Sequence, residues 1–261
     1  MFDRIFGKKK PNPEPATAPH ATKSEKPELD LAAQSLMRAI AEKKKTDPLI
    51  GVKIGSKELL TRLMRAMTDP KGIHIESVLT ALGALAGFSC QMAIRAELAK
   101  AGRNTVAGIL MHMDSSDGKR FYFGDALNKP LAESPYSVWS LAGGGAESAG
   151  AKTLPDLHDI FGHSITSIDK GTFGIPRVPE KHRSHDTPEN YARGLWPVLM
   201  PTLDLFCDHP AQWPILYGLA LQRIIIEAKD VIPPEMAIQI IMESAIPISK
   251  IDPNPSYTLN S

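Results

Sequence analysis

Between Glu76 and Arg95 the chain carries 18 consecutive residues without one Asp, Glu, Lys or Arg. As a helix, that run is about 27 Å long, close to the hydrocarbon thickness of a bilayer. It therefore either spans a membrane or forms the buried spine of a larger body. Thr80, Ser89, Gln91 and many alanines weaken the membrane reading, no companion segment of similar length exists, and mean hydropathy is −0.15. Gly83 and Gly87, four apart with Ala84 between them, suit close approach by another helix. The residues favour a central core helix from about Ile75 to Ala101, stopped by Gly102.

Composition supports a packed body around that helix. Of 261 residues 43% are hydrophobic, which excludes wholesale disorder. Thirty Lys and Arg against 29 Asp and Glu give a net charge of +1, so no basic field points to nucleic acid as a partner. Cys90 and Cys207 cannot make a disulfide framework, which fits a reducing, cytoplasmic setting.

Residues 11–28 hold Pro11, Pro13, Pro15, Pro19 and Pro27 and no Leu, Ile or Val, a composition that cannot offset the entropy of ordering. Residues 1–28 thus read as a disordered, basic and Pro-rich arm ahead of a mostly helical domain over 29–261. Within the arm, Phe2, Ile5 and Phe6 beside Arg4, Lys8, Lys9 and Lys10 do not form a secretory signal, because the charges follow the apolar residues. Residues 1–10 read as a solubilising terminus, with weak peripheral contact to an anionic membrane surface as the second reading.

Periodicity supplies the remaining elements. Leu29, Ala32, Ala33, Leu36, Met37 and Ile40 mark a first helix, and Ser56 is placed to cap a second through Leu59, Leu63 and Met67. Val106–Met113 and Lys119–Asp125, joined through Asp117-Gly118, predict an antiparallel β-hairpin with Phe121 and Phe123 inward and Arg120 and Tyr122 outward. A lone hairpin is marginal in water, so either Leu49–Ile54 or Ile73–Ile75 adds a strand, or the hairpin lies on helices. Further helices are expected over 135–142, 154–168, 188–206, 212–229 and 233–245, with Pro197 and Pro201 kinking or dividing the third. Gly143-Gly144-Gly145 lacks the Lys-Ser or Lys-Thr of a phosphate loop and reads as a flexible turn. Tyr136, Trp139, Trp196, Trp213 and Tyr217 read as core packing, and the isoleucine-rich C-terminal helices as buried on several sides, with a homodimer face as the lesser option. The fold class is mainly α, one helical domain with a single antiparallel hairpin.

The irregular stretch Gly171–Asp186 stands out, because compact domains rarely keep so long a structureless connection without a use for it. It gathers Arg177, Lys181, His182, Arg183 and His185, groups suited to carboxylate or phosphate. A non-catalytic binding or adaptor domain is the favoured function, contacting an anionic ligand or protein partner through residues 171–186. On that reading Arg177, Lys181 and Arg183 can be truncated with little loss of stability.

The alternative is a hydrolase. Adjacent His158-Asp159 on a helix, with His163 following, resembles the way HD metal-dependent phosphohydrolases hold a divalent ion. His185-Asp186 forms a second such pair, and His112, Asp204, Asp208 and His209 are possible completing ligands. That donor set suits iron, manganese or zinc, and the ion would acidify a water into a nucleophile. His158 and His163, five apart, share a helix face poorly, and no cofactor is expected on the favoured reading.

Overall fold

A computed structural model describes residues 31–253. The arm over 1–28, with its basic cluster at 1–10, lies outside the described residues. Contacts divide the chain into two compact units, Met1–Ala39 and Ile40–Ser261. Of the first, the described part is the opening of helix α1 (Leu31–Lys43), and all that follows concerns the second.

The architecture is mainly helical with one hairpin, as the periodicity implies. The order is α2 (Ile50–Ala66), α3 (Ile75–Lys100), β1 (Met111–Asp114), β2 (Arg120–Phe123), a short α4 (Asp125–Asn128), α5 (Val138–Ser148), α6 (Leu157–Thr166), α7 (Pro188–Phe206), α8 (Trp213–Glu227) and α9 (Pro234–Ile248). Helix α3 is long and apolar enough to cross a membrane, yet it is enclosed by protein: α9, α8 and α7 pack along it, and Val78 through Ala93 are all buried. Helix α2 packs on α7 and α8, α5 on α8 and α9, and α6 on α9. Trp196, Trp213 and Tyr217 belong to this core, with Trp196 stacked on Tyr217 and meeting Trp213 and Phe88 edge-on, whereas Tyr136 is exposed.

Several expectations are corrected. Ser56 does not cap α2; it lies inside the helix, buried, and its hydroxyl donates to the Lys53 carbonyl (2.9 Å). The apolar face that includes Val52, Leu59, Leu60 and Leu63 extends the helical period back to Ile50, so Leu49–Ile54 is not a strand either. Gly143-Gly144-Gly145 is not a turn but part of α5, capped by Ser137, whose hydroxyl accepts from the Ser140 N–H. A Cβ on Gly145 would stand 2.9 Å from the Gln222 backbone, so glycine is retained there for close approach to α8 despite its poor helix propensity. Helix α7 runs through Pro197 and Pro201 without dividing.

The hairpin is shorter than expected, since Val106–Leu110 form a turn in which the Ile109 and Leu110 N–H groups donate to the Val106 carbonyl. Its extra pairing comes from the chain after α9, where Ile251 bridges Phe121. Tyr122, expected outward, is buried: Arg95 lies 4.7 Å over its ring and its N–H donates to the Lys250 carbonyl. Both faces of β2 are therefore covered, which breaks the simple alternation.

Candidate functional site

The stretch before α7 is irregular, apart from one turn of 3₁₀ helix at Glu180–His182, but it is fastened along its length. Arg177 sits between α6 and α9. Its backbone N–H donates to Glu243 Oε2, its Nε to Glu243 Oε1 (3.0 Å), and its terminal NH2 to Asp159 Oδ2 (2.6 Å). Gln239 Nε2 donates to the Arg177 carbonyl (3.1 Å). The Glu243 side chain is 3% exposed, so this guanidinium is the counter-ion of a buried carboxylate. The hydrogen bond from Arg177 also holds the Asp159 carboxyl below the usual carboxylate range.

Further along, the loop meets the start of α3. His182 Nδ1 lies 2.9 Å from Glu76 Oε1, and the His185 N–H donates to Ser77 Oγ (3.0 Å). The His185 ring stacks on His74 at 3.9 Å between centroids, 17° from parallel. His74 caps α3 by accepting the Ser77 N–H at Nδ1 (3.3 Å). That nitrogen must then be the unprotonated one, and it also accepts the Ser77 hydroxyl (2.8 Å). The other ring nitrogen lies 3.4 Å from Glu76 Oε2, so Glu76 is held by two imidazoles, one on each oxygen. The loop closes at α7, where Asp186 Oδ1 accepts from the Thr187 N–H and from Asn190 Nδ2 (both 2.7 Å).

Three of the five expected ligand-binding residues, Arg177, His182 and His185, are thus committed to internal contacts. Lys181 and Arg183 are not. Both are exposed, and neither charged group has a partner among the described residues. A cleft of about 370 Å³ opens at His185, lined also by Asp69, His74, Ser77, Asn190 and Tyr191. A larger hollow of about 570 Å³ lies at the hairpin tip, but its cations are largely neutralised: Arg120 pairs with Asp114, Lys119 with Asp117 and Arg193 with Glu189. The residues that sequence reasoning missed are His74, Glu76 and Ser77. Glu76 is the last charge before the uncharged run, a place where a carboxylate survives only with partners.

The proposed metal ligands are not assembled. His158 is exposed and His163 half-buried on α6, Asp159 is ion-paired to Arg177, and Asp186 Oδ1 is engaged by the Thr187 N–H and Asn190 Nδ2. Of the completing candidates, Asp208 pairs with Lys44 (2.6 Å) and His112 is exposed on β1. Among the described residues no group of three or more His, Cys, Asp or Glu side chains could hold a metal ion. Cys207 offers no thiolate either, because burial, with Asp208 and Asp204 adding to it, pushes its thiol up to about 12.

Arg177 therefore departs from the expectation that it can be truncated freely. Arg177→Ala would strand the Glu243 carboxylate and unfasten the loop, with an expected loss of about 2–4 kcal/mol of unfolding free energy. Urea denaturation tests this, and a midpoint equal to that of the unaltered protein would show that the clasp contributes nothing. No family model, curated protein or solved structure matches the chain.

Proposed function

We propose that the protein is a non-catalytic binding module that takes an anionic group, from a small ligand or an acidic protein segment, between Lys181 and Arg183. The observation that carries this reading is the contrast within one loop. Arg177, His182 and His185 fasten it to α9, α6 and α3, while Lys181 and Arg183 remain exposed and, among the described residues, without counter-ions. A loop held at these points loses little conformational entropy when its free cations engage a ligand. Arginine supplies a planar fork for two oxygens and lysine a mobile point charge, a combination suited to phosphate and carboxylate.

Titration with inorganic pyrophosphate, and separately with a poly-glutamate peptide, separates the two ligand sources. The unaltered protein should bind at least one of them, with affinity falling as salt rises. The Lys181→Ala/Arg183→Ala pair should weaken that binding about tenfold, the equivalent of one or two charge-assisted contacts. Its thermal midpoint should stay unchanged, since neither side chain supports the fold. Undiminished binding by the double variant, or no binding of either probe by the unaltered protein, would remove the proposal.

A further inference from the structure

β1 is the outer strand of the hairpin, and all four of its residues are exposed, Met111 by 71% and Met113 by 41%. Which of its backbone groups are free follows from the far side of β2. There the Tyr122 N–H donates to the Lys250 carbonyl (2.7 Å) and the Asp252 N–H to the Arg120 carbonyl (3.0 Å), on either side of the Phe121–Ile251 bridge. Successive residues of an antiparallel strand bond to opposite sides. Tyr122 and Arg120 thus face the chain after α9, and Phe121 and Phe123 face β1, where they pair with Met113 and Met111. The N–H and C=O groups of His112 and Asp114 consequently point away from β2. Among the described residues no third strand and no other backbone group takes them.

Natural edge strands are usually blunted by shortness, charged side chains (lysine above all), proline, a bulge or a covering element. β1, with the sequence Met-His-Met-Asp, is short but has neither lysine nor proline, and its one carboxylate is taken up by Arg120 (2.6 Å). We propose that this edge pairs with the same edge of a second copy of this chain, antiparallel about a two-fold axis, with His112 of each copy opposite Asp114 of the other.

Pairing of imidazole with carboxylate selects that register. The outward groups belong to alternate residues, so a shift by one residue brings no donor opposite an acceptor. A shift by two sets either His112 against His112 or Asp114 against Asp114, and so gives up the imidazole–carboxylate pairing. With His112 opposite Asp114 the two copies exchange four N–H···O bonds. The His and Asp side chains then lie side by side on the face that carries the Arg120–Asp114 ion pair, and Met113 meets Met113 on the other. An isologous contact of this kind closes on itself and leaves no further edge to grow from. A four-residue edge covers well under the roughly 1,200 Å² of a stable interface, so the dimer belongs to high protein concentration.

Analytical ultracentrifugation of the full chain across micromolar to millimolar loading tests this. The unaltered protein should move from monomer toward dimer. His112→Asp sets two carboxylates together at each contact, and Asp114→His two imidazoles, so each variant alone should associate at least tenfold more weakly. An equimolar mixture of the two restores an opposite pair at both positions and should regain association to within a few-fold of the unaltered protein. Circular dichroism on each variant checks that the fold is kept; His112→Pro, which removes the outward N–H together with the imidazole, provides a second way to blunt the edge. A monomer at every concentration, variants that associate as well as the unaltered chain, or a mixture of folded variants that fails to recover would each overturn the proposal.

Discussion

Replacing Gly87 with alanine should force α3 and α9 apart and cost more than the same change at Gly83 or Gly144. A Cβ built at Gly87 stands 2.0 Å from the Ala245 carbonyl oxygen, 2.7 Å from its carbon and 2.8 Å from its Cα. All three are backbone atoms of α9, so no rotamer change relieves the overlap, and the helix itself must shift. Alanine improves local helix propensity by about 1 kcal/mol, a gain the overlap exceeds. Overpacking a close-packed interior ordinarily costs about 1–3 kcal/mol. Here the displaced element carries Ile238, Ile241, Met242 and Ala245, all fully buried, and the expected loss is about 3 kcal/mol or more. Gly83→Ala should follow with a smaller loss, because its Cβ would meet the Ile241 oxygen at 2.6 Å and its Cα at 3.0 Å. Gly144→Ala should be neutral or slightly stabilising, since the nearest atom is the end of the Gln222 side chain at 3.7 Å. Urea midpoints in that order would confirm helix–helix contact through these glycines; a Gly87→Ala protein as stable as its parent would refute it.

The glycine spacing that makes this prediction was legible in the sequence, and so was the burial of α3, because both reside in one continuous segment. The bounds of α7 were legible for the same reason: Thr187 accepts the Asn190 N–H and Pro188 occupies the first turn, interactions confined to four residues. The hairpin turn was readable because Gly118 takes φ of +82°, which Asp-Gly announces. What escaped depends on residues distant in sequence. Gly143 to Gly145 looks like a flexible turn until the backbone of Gln222 is placed against it. Tyr122 looks solvent-facing until Arg95 and Lys250 arrive from α3 and the end of α9. At the candidate site, the loop itself was conspicuous and its cations could be named. Which of them were already spoken for was not readable, because the partners Glu76 and Glu243 lie in apolar helices and advertise no connection to residues 177 and 182. Local chemistry was visible, whereas assignment of partners across the fold was not.

Lys250 gives the second large effect, and the opposite sign. The residue is 2% exposed, yet among the described residues no carboxylate pairs with its ammonium; the flanking groups are the rings of Phe123 and Phe161, with centroids 5.2 and 5.1 Å from Nζ. Burial pulls the amine down from its ordinary 10.5 to about 8. Below pH 8 both folded and unfolded chains carry the proton, and the folded chain bears the whole desolvation cost. Between pH 8 and 10.5 the unfolded chain binds more protons than the folded one, so stability rises with pH across that window. The difference of about 2.5 units corresponds to about 3 kcal/mol. Lys250→Met removes the charge and leaves a flexible, polarisable chain of similar length against the two rings. At pH 7 the variant should gain about 1–2 kcal/mol, because the lost cation–π attraction of about 1–2 kcal/mol offsets part of the relief. By pH 10.5 the advantage should vanish or reverse, since the native amine is then neutral. The informative quantity is the difference in unfolding free energy between the two proteins, measured by urea titration at each pH, because other lysines and tyrosines cancel in it. A difference that stays flat from pH 7 to 10.5 would show that the Lys250 amine is not desolvated in the folded protein.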